Sequence, residues 1–353
     1  MQNSETVLDL LSELNLDLVV ADIPISNAEA SQTDRVYFSE TINYLRKTDI
    51  FPKDFVPPRG IQSNFYRKIR STTSLQACNL VIVPHEWQDI CENREYIQYL
   101  GELSAVAPIV IFNTGDISPP VNIMNSIEIR TFLHPGENSE GKVLIPYPTK
   151  RREFKIKQWN KVPRVGFMGQ VPRISPGSLV SRPSFSFLSP IKSSVYVNRK
   201  IGVKRLRNLD RRIETNVVER PSFSATRKNL NFNVQSVEFQ EQLFHCDYIL
   251  CPRGFGNTSI RFYETISAGR TPILIDSDGG LPKLHSGQTW ENHIITVGLF
   301  ENWTKLIFQD WEKLSAEDNY LKRQLSNVEL FDSQLDFEKY MAILFSGYLK
   351  NEA

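Results

Sequence analysis

Long apolar runs are missing from this 353-residue chain: nowhere do about eighteen apolar residues follow one another, the length a membrane-spanning helix needs. A signal-peptide pattern is missing too. Met1 to Leu18 carries acidic residues and leucines at helical spacing, without a basic start or a continuous apolar core. Cysteine is scarce, and Cys78, Cys91, Cys246 and Cys251 lack the C-x-x-C spacing of a metal site. The last pair flanks or sits in an apolar run that reads as a buried strand, so a reducing cytoplasm is the expected home. The sequons at Asn257 and Asn302 are then chance matches. Excess charge is also absent: 41 Lys and Arg face 40 Asp and Glu, and a net +1 excludes a strong overall pull toward nucleic acid or a membrane surface. No repeat and no low-complexity tract interrupts an ordinary globular composition. The length exceeds what one hydrophobic core usually serves, which predicts two domains.

What is present is alternation. Leu16–Ala21, Asn79–Val83, Pro108–Phe112 and Ile127–Phe132 read as short buried strands, and Glu92–Val106 as a helix with Tyr96, Tyr99, Leu100 and Leu103 on one face. Strands alternating with helices predict an α/β domain over residues 1–150. Pro146, Pro148 and the charged run Lys150–Lys157 read as a linker before a strand at Val162–Met168, opening a second domain over residues 158–332. The last segment, Phe331–Leu349, spaces Phe337, Met341, Leu344, Phe345 and Tyr348 as an amphipathic helix.

The most informative stretch is Cys246–Pro282. An apolar run, Asp247–Cys251, predicts a strand that Pro252 stops; Gly254 and Gly256 predict a tight loop. Ile260, Tyr263 and Ile266 recur every three positions in a helix expected over Thr258–Ala268, and Thr271–Ile275 predicts a second strand after Gly269. The unit is a βαβ crossover with glycines at its first turn. Its helix start exposes unpaired N–H groups at a positive dipole end, a place that suits phosphate. Asn257, Thr258 and Ser259 stand where side chains cap such a start or donate to phosphate oxygens. Arg261 and Glu264 are three apart and share a face, so a phosphate beside Arg261 leaves Glu264 one turn deeper for a ribose diol. An ordinary glycine turn with an exposed ion pair stays open as the other reading.

The string C-P-R-G-F-G-N-T-S-I-R-F-Y-E-T-I-S-A-G-R-T-P-I-L-I resembles the signature of the exostosin-type glycosyltransferases over about forty residues: Cys251 to Gly254, Ser259, Arg261, Glu264 and Gly269 to Ile273 hold the matching positions. Lys142–Pro148 and Arg164–Gly169 are weaker echoes of that family's strands. The resemblance implies a GT-B fold, two Rossmann-like domains facing across a cleft, with residues 333–353 as a terminal helix able to cross back to the first domain. It implies inverting transfer of a sugar from a nucleotide donor, a UDP-sugar, to a glycan or lipid-linked acceptor. Loop geometry and the resemblance together make Arg253, Gly254, Gly256, Asn257, Thr258, Ser259, Arg261 and Glu264 the expected donor residues, of which Arg253, Gly254, Ser259, Arg261 and Glu264 hold matching family positions. The lack of a membrane span departs from the eukaryotic exostosins, which are anchored in the secretory pathway; peripheral membrane contact stays open.

Asp276-Ser277-Asp278 has the form of the Asp-x-Asp with which GT-A transferases hold a divalent ion. Here it closes a late βαβ unit and runs into Gly279-Gly280, so no obligatory metal or other cofactor is expected. An inverting displacement needs a base for the acceptor hydroxyl, and residues past strand ends are candidates. Asp116 in N-T-G-D and His85, with its neighbour Glu86, lead; His134, His245 and His285 follow. Between Ile191 and Leu230 eleven Lys or Arg face three Asp or Glu. Val203, Leu206, Leu209 and Ile213 fit a half-buried helix there, while a nucleic-acid-binding protein and a noncatalytic nucleotide-sugar or glycan-binding module are the alternative functions.

Overall fold

The computed structural model describes residues 18–20, 80–115, 118–134, 136–171, 195–220, 232–254, 256–285, 287–315, 317–337, 339–341 and 343–344. The chain divides into two compact units, one of Met1–Thr131, Ser139–Pro148 and Phe337–Ala353, the other of Phe132–Asn138 and Thr149–Asp336. Each holds a five-stranded sheet in which every neighbouring pair is parallel. The α/β class and the pair of Rossmann-like units expected of a GT-B chain are both present.

The first sheet is β1 (Leu18–Val20), β2 (Leu80–Glu86), β3 (Ile109–Phe112), β4 (Ser126–Arg130) and β5 (Lys142–Leu144), side by side in chain order. All four residues of β3 are buried, as a continuous β-branched and aromatic run requires in a sheet covered on both faces. Helix α1 (Arg94–Ser104) starts later than its periodicity suggests, because Asn93 caps it by accepting the Tyr96 N–H at 3.0 Å. Tyr96, Leu100 and Leu103 then face the core. Strand β2 runs further than expected: His85 and Glu86 lie in it rather than beyond it. Pro84 gives no N–H to the ladder, and the register with β3 shifts between Ile82 and Glu86.

The second sheet contains β6 (Arg164–Gln170), β7 (Glu214–Arg220), β8 (Tyr248–Leu250), β9 (Thr271–Ile275) and β10 (Ile295–Val297), in the order β10-β9-β8-β6-β7. Between strands run α2 (Val195–Arg207), α3 (Phe232–His245) and α4 (Ile260–Ser267), followed after β10 by α5 (Trp303–Lys313) and α6 (Glu317–Leu330). Val165, Phe167, Tyr248, Leu250, Ile273 and Ile275 form a core with Val203 and Leu206 of α2 and Trp303, Ile307 and Trp311 of α5. Burying such side chains stabilises by roughly 1.5–3 kcal/mol each before entropy is counted. The basic stretch therefore contains a half-buried helix. It ends at Arg207, leaving Leu209 and Ile213 to pack beyond it, and several of its arginines meet acids: Arg207 with Glu219, Arg212 with Asp210, Arg220 with Glu238.

The expected linker is a strap. Residues 149–163 are fastened along the amino ends of the second sheet, where Asp247 accepts from Lys157 Nζ (2.5 Å), the Tyr320 hydroxyl (2.5 Å) and the Arg164 N–H (2.7 Å). Gln324 exchanges two hydrogen bonds with the Lys157 backbone, at 2.9 and 2.8 Å. Arg270 donates to Lys155 O at 2.7 Å, and Trp159 stacks on Trp311. Gly269 (φ +71°) ends α4 under the Phe154 ring, which a Cβ there would approach to 2.6 Å.

The predicted continuous helix over Phe331–Leu349 is broken. Helix α6 passes into a π-helical turn, Phe331–Leu335, and Asp336 (ψ 126°) interrupts it before a helical stretch from Phe337 in which Tyr340 Oη donates to Leu144 O at 3.0 Å. Phe345, Tyr348 and Leu349 lie outside the described residues. Among the described residues no helix is long and apolar enough to cross a membrane.

Removing the Asp247 carboxylate leaves the mostly buried Lys157 ammonium without its counter-charge. Asp247→Ala is expected to cost roughly 3–5 kcal/mol, the usual penalty for breaking a buried ion pair from one side. Urea denaturation measures it, and a loss under ~1 kcal/mol would show that the strap is held elsewhere.

Candidate functional site

In the second sheet the chain winds from β6 outward to β7, then returns to the other side of β6 to lay down β8, β9 and β10. Right-handed crossovers in opposite directions separate at such a reversal, and sheets of this kind bind ligands at the carboxyl ends of the strands flanking it, here β6 and β8. Two segments meet there: Gly169–Gln170 from β6 and the loop Cys251–Ser259 from β8. In the first sheet the described strands run in chain order, so topology singles out no comparable place.

The loop is wound tightly. Gly254 N–H donates to Thr258 O at 2.6 Å, and the Thr258 N–H turns back to Gly256 O. Arg199, on α2, ties the two segments together by donating Nε to Arg253 O (3.0 Å) and Nη1 to Gln170 O (3.4 Å). Helix α4 begins at Ile260 rather than Thr258. Its N-cap Ser259 is extended (φ −134°, ψ 116°) and makes no side-chain cap bond, so the hydroxyl expected as a cap leaves the helix start open. Phe262, Tyr263 and Ile266 form the buried face, while Ile260, expected on it, is 45% exposed.

Asn257, expected as a phosphate donor or cap, has another task. Its amide donates to Leu133 O (2.8 Å) and Ser277 O (2.9 Å), and the Leu133 N–H donates to Gly279 O at 2.8 Å. A Cβ on Gly279 would lie 2.6 Å from Asn257 Nδ2, so only glycine admits this approach. Asn257 thus fastens the loop and is not open to a ligand through its N–H groups.

Arg261 projects from the first turn of α4. A Cβ on Gly169 would lie 3.0 Å from its Nη1, and its guanidinium is 5.7 Å from the centroid of the Phe239 ring. Among the described residues it donates no side-chain hydrogen bond and forms no ion pair. Burial holds its pKa below the ordinary arginine value, with Glu264 opposing and Arg220 and Arg152 adding to the shift. Burial also pushes Arg199 and Arg253 down to about 10, and Arg199 feels Arg261 as well. All remain charged at neutral pH. A cation whose folded-state pKa is lowered destabilises the fold below that pKa, so a bound anion would offset the cost. Burial pushes the Cys251 thiol up to about 12, which keeps it neutral and leaves it no part as a counter-charge.

Glu264 does not pair with Arg261. Its Oε1 accepts both Nε (2.9 Å) and Nη2 of Arg152, a strap residue. The exposed Arg261–Glu264 ion pair of the alternative sequence reading is therefore absent. Oε2 makes no hydrogen bond among the described residues. Arg152, Arg199 and Phe239 belong to none of the sequence motifs, whereas Gly169 ends the Arg164–Gly169 strand that the resemblance picks out. Only the basic composition around Arg199 hinted at one of them.

The acceptor-side candidates are less resolved. Asp116 and the His85 side chain lie outside the described residues. Glu86, noted only as a neighbour of His85, is buried and accepts from the Thr114 N–H (2.5 Å), Thr114 Oγ1 (2.7 Å) and the Gly115 N–H (2.8 Å), organising the loop that leads to Asp116. His134 belongs to the second unit, where its ring meets Phe132 edge-on at 5.1 Å. His245 sits at the end of α3 with Nδ1 2.7 Å from Glu241 O, and the His285 N–H donates to Gln334 at 2.6 Å. In the Asp-x-Asp, the Asp278 N–H donates to Asp276 Oδ1 at 3.2 Å; no cluster of three or more metal-ligating side chains occurs among the described residues.

No family model matches the chain, and no curated protein does. Solved structures do. WaaG, a glycosyltransferase involved in lipopolysaccharide biosynthesis, is 12% identical, with 98% of this chain and 96% of that one covered at a TM-score of 0.34. MurG of Acinetobacter baumannii is 11% identical, covering 98% and 95% at 0.31. HepE of Anabaena, in complex with UDP and glucose, is 10% identical, covering 99% and 96% at 0.30.

Because Asn257 satisfies two carbonyls from distant segments, Asn257→Ala should destabilise by roughly 1–3 kcal/mol, the cost of orphaned buried polar groups. Thermal denaturation would register this as a clear drop in Tm, and an unchanged Tm would mean that the loop does not depend on these bonds.

Proposed function

We propose that this protein is an inverting glycosyltransferase of the exostosin type, moving a sugar from a UDP-sugar to a glycan or lipid-linked acceptor in polysaccharide or glycoconjugate synthesis, in the cytoplasm. The observation that carries the proposal is Arg261: a half-buried guanidinium at the switch point, beside a helix start without a side-chain cap, with no hydrogen-bond acceptor among the described residues. A donor diphosphate supplies the missing negative charge. Its oxygens would take the open N–H groups of α4, the hydroxyls of Thr258 and Ser259, and the charges of Arg261, Arg253 and Arg199. The free Oε2 of Glu264 would accept from the ribose diol. In the transfer, the acceptor oxygen attacks the anomeric carbon from the side opposite the diphosphate, the carbon–oxygen bond to the diphosphate breaks, and the electron pair leaves with UDP. Asp116 or His85 takes the acceptor proton. The arginines and helix end neutralise the leaving group, so the reading requires no obligatory metal.

Screening nucleotide sugars by thermal shift tests the donor, since a ligand that binds only the folded state raises Tm. A turnover assay follows. Binding without turnover would assign the noncatalytic module instead. Arg261→Ala is expected to lower kcat by roughly 10²-fold, the cost of removing one stabiliser of transition-state charge. Glu264→Gln should mainly raise the donor KM, because a ribose contact is uniform binding. Wild-type kinetics in both variants would remove the donor assignment. Activity should also survive chelation of divalent ions and Asp276→Asn/Asp278→Asn; complete loss in both experiments would favour a metal-held diphosphate.

A further inference from the structure

An arginine and a glutamate three apart on a helix ordinarily lie close enough to bridge, and a bridged Arg261 would present a neutral pair to an incoming anion. In this protein the glutamate is engaged elsewhere. Arg152 places Nε and Nη2 on Glu264 Oε1 and donates Nη1 to Ser236 Oγ at 2.7 Å, with its guanidinium 5.5 Å from the centroid of Phe239. Its backbone N–H donates to Ser267 Oγ at 3.0 Å, and that hydroxyl donates to Glu264 O at 2.9 Å, so both ends of the residue are tied to α4 and its carboxylate. The Arg152 and Glu264 side chains are only 19% and 13% exposed, which keeps water from replacing the pair freely.

We propose that Arg152 is a positioning residue that holds Glu264 away from Arg261 and so keeps the switch-point crevice electropositive for the diphosphate. Phe239 takes part by lying within cation–π reach of both guanidinium groups, 5.5 Å from Arg152 and 5.7 Å from Arg261. With Arg152 gone, Glu264 is the carboxylate nearest to Arg261 along its own helix, and turning to it would cancel the charge on which anion binding depends. The strap thus does more than fasten the amino ends of the sheet: it carries the counter-ion that reserves Arg261 for the ligand.

This inference rests on the crevice being a phosphate site, and the test separates the two. Inorganic pyrophosphate and UDP are titrated calorimetrically at low salt into the full chain as wild type, Arg152→Gln, Glu264→Gln and the double variant. Pyrophosphate has no ribose, so it reports the charge of the crevice alone. Arg152→Gln should weaken pyrophosphate about tenfold, the order of effect one neighbouring charge exerts on another. Removing Glu264 as well should restore wild-type affinity or better, and Glu264→Gln alone should tighten pyrophosphate. Unchanged affinity in Arg152→Gln, or a double variant as weak as Arg152→Gln, would overturn the inference; the second result is what a merely structural Arg152 would give. Should Arg152→Gln not fold, the double variant is compared with the wild type, and pyrophosphate binding weaker in the double than in the wild type overturns it equally. If the wild type binds neither pyrophosphate nor UDP, the phosphate site falls and the inference with it.

Discussion

A sheet whose strands are all parallel cannot be joined by hairpins; every connection must cross a face, and the direction of crossing decides where loops part. In the second unit that direction reverses once, between β6 and β8. The reversal brings the end of β6 beside the glycine loop of β8 and the start of α4, and each local feature serves that meeting. Gly169 has no side chain because Arg261 lies where one would stand, and Gly279 has none because Asn257 does. The loop carries its own backbone bonds, and Arg199 joins it to β6 through carbonyls rather than carboxylates.

The two edges of this sheet treat charge in opposite ways. At the amino ends the buried charges Asp247 and Arg270 are answered: Asp247 has three donors, and Arg270 spreads its guanidinium over Leu243 O, Gln324 and Lys155 O. Such completeness is what a stable fold requires of buried polar groups. At the carboxyl ends, burial strips water from Arg199, Arg253 and Arg261, and among the described residues no carboxylate bridges Arg261. A buried or half-buried guanidinium with no carboxylate beside it, as Arg261 is among the described residues, is held at a cost in stability, which is the usual mark of a binding site.

Between these edges runs the strap. Its sequence is charged and proline-flanked, the composition of a solvated linker, yet Phe154, Lys157 and Trp159 pack or bond into the second unit and Arg152 reaches the helix of the candidate site. Lys and Arg side chains can look solvent-directed in sequence while their stems and heads find partners in a fold. The strap therefore joins the amino edge of the sheet to helix α4 through a single guanidinium.

What the sequence determined by itself was local. The run Thr-Pro-Ile-Leu-Ile is β9 to the residue, the glycines after β8 mark the loop, and Arg261 stands on the first turn of α4 as its spacing required. Alternating strands and helices were enough for the parallel α/β class, because backbone periodicity depends on neighbours a few positions away. Partner choice was not local. The carbonyl that Asn257 serves, Leu133 O, is 124 residues distant, and Arg152, which holds Glu264, lies 112 residues earlier, so local spacing shows neither partner. Which charges end up satisfied and which stay bare depends on desolvation and on contacts between segments that only the folded chain brings together. Tertiary structure alone therefore decided that Glu264 pairs with Arg152 and leaves Arg261 without a carboxylate among the described residues.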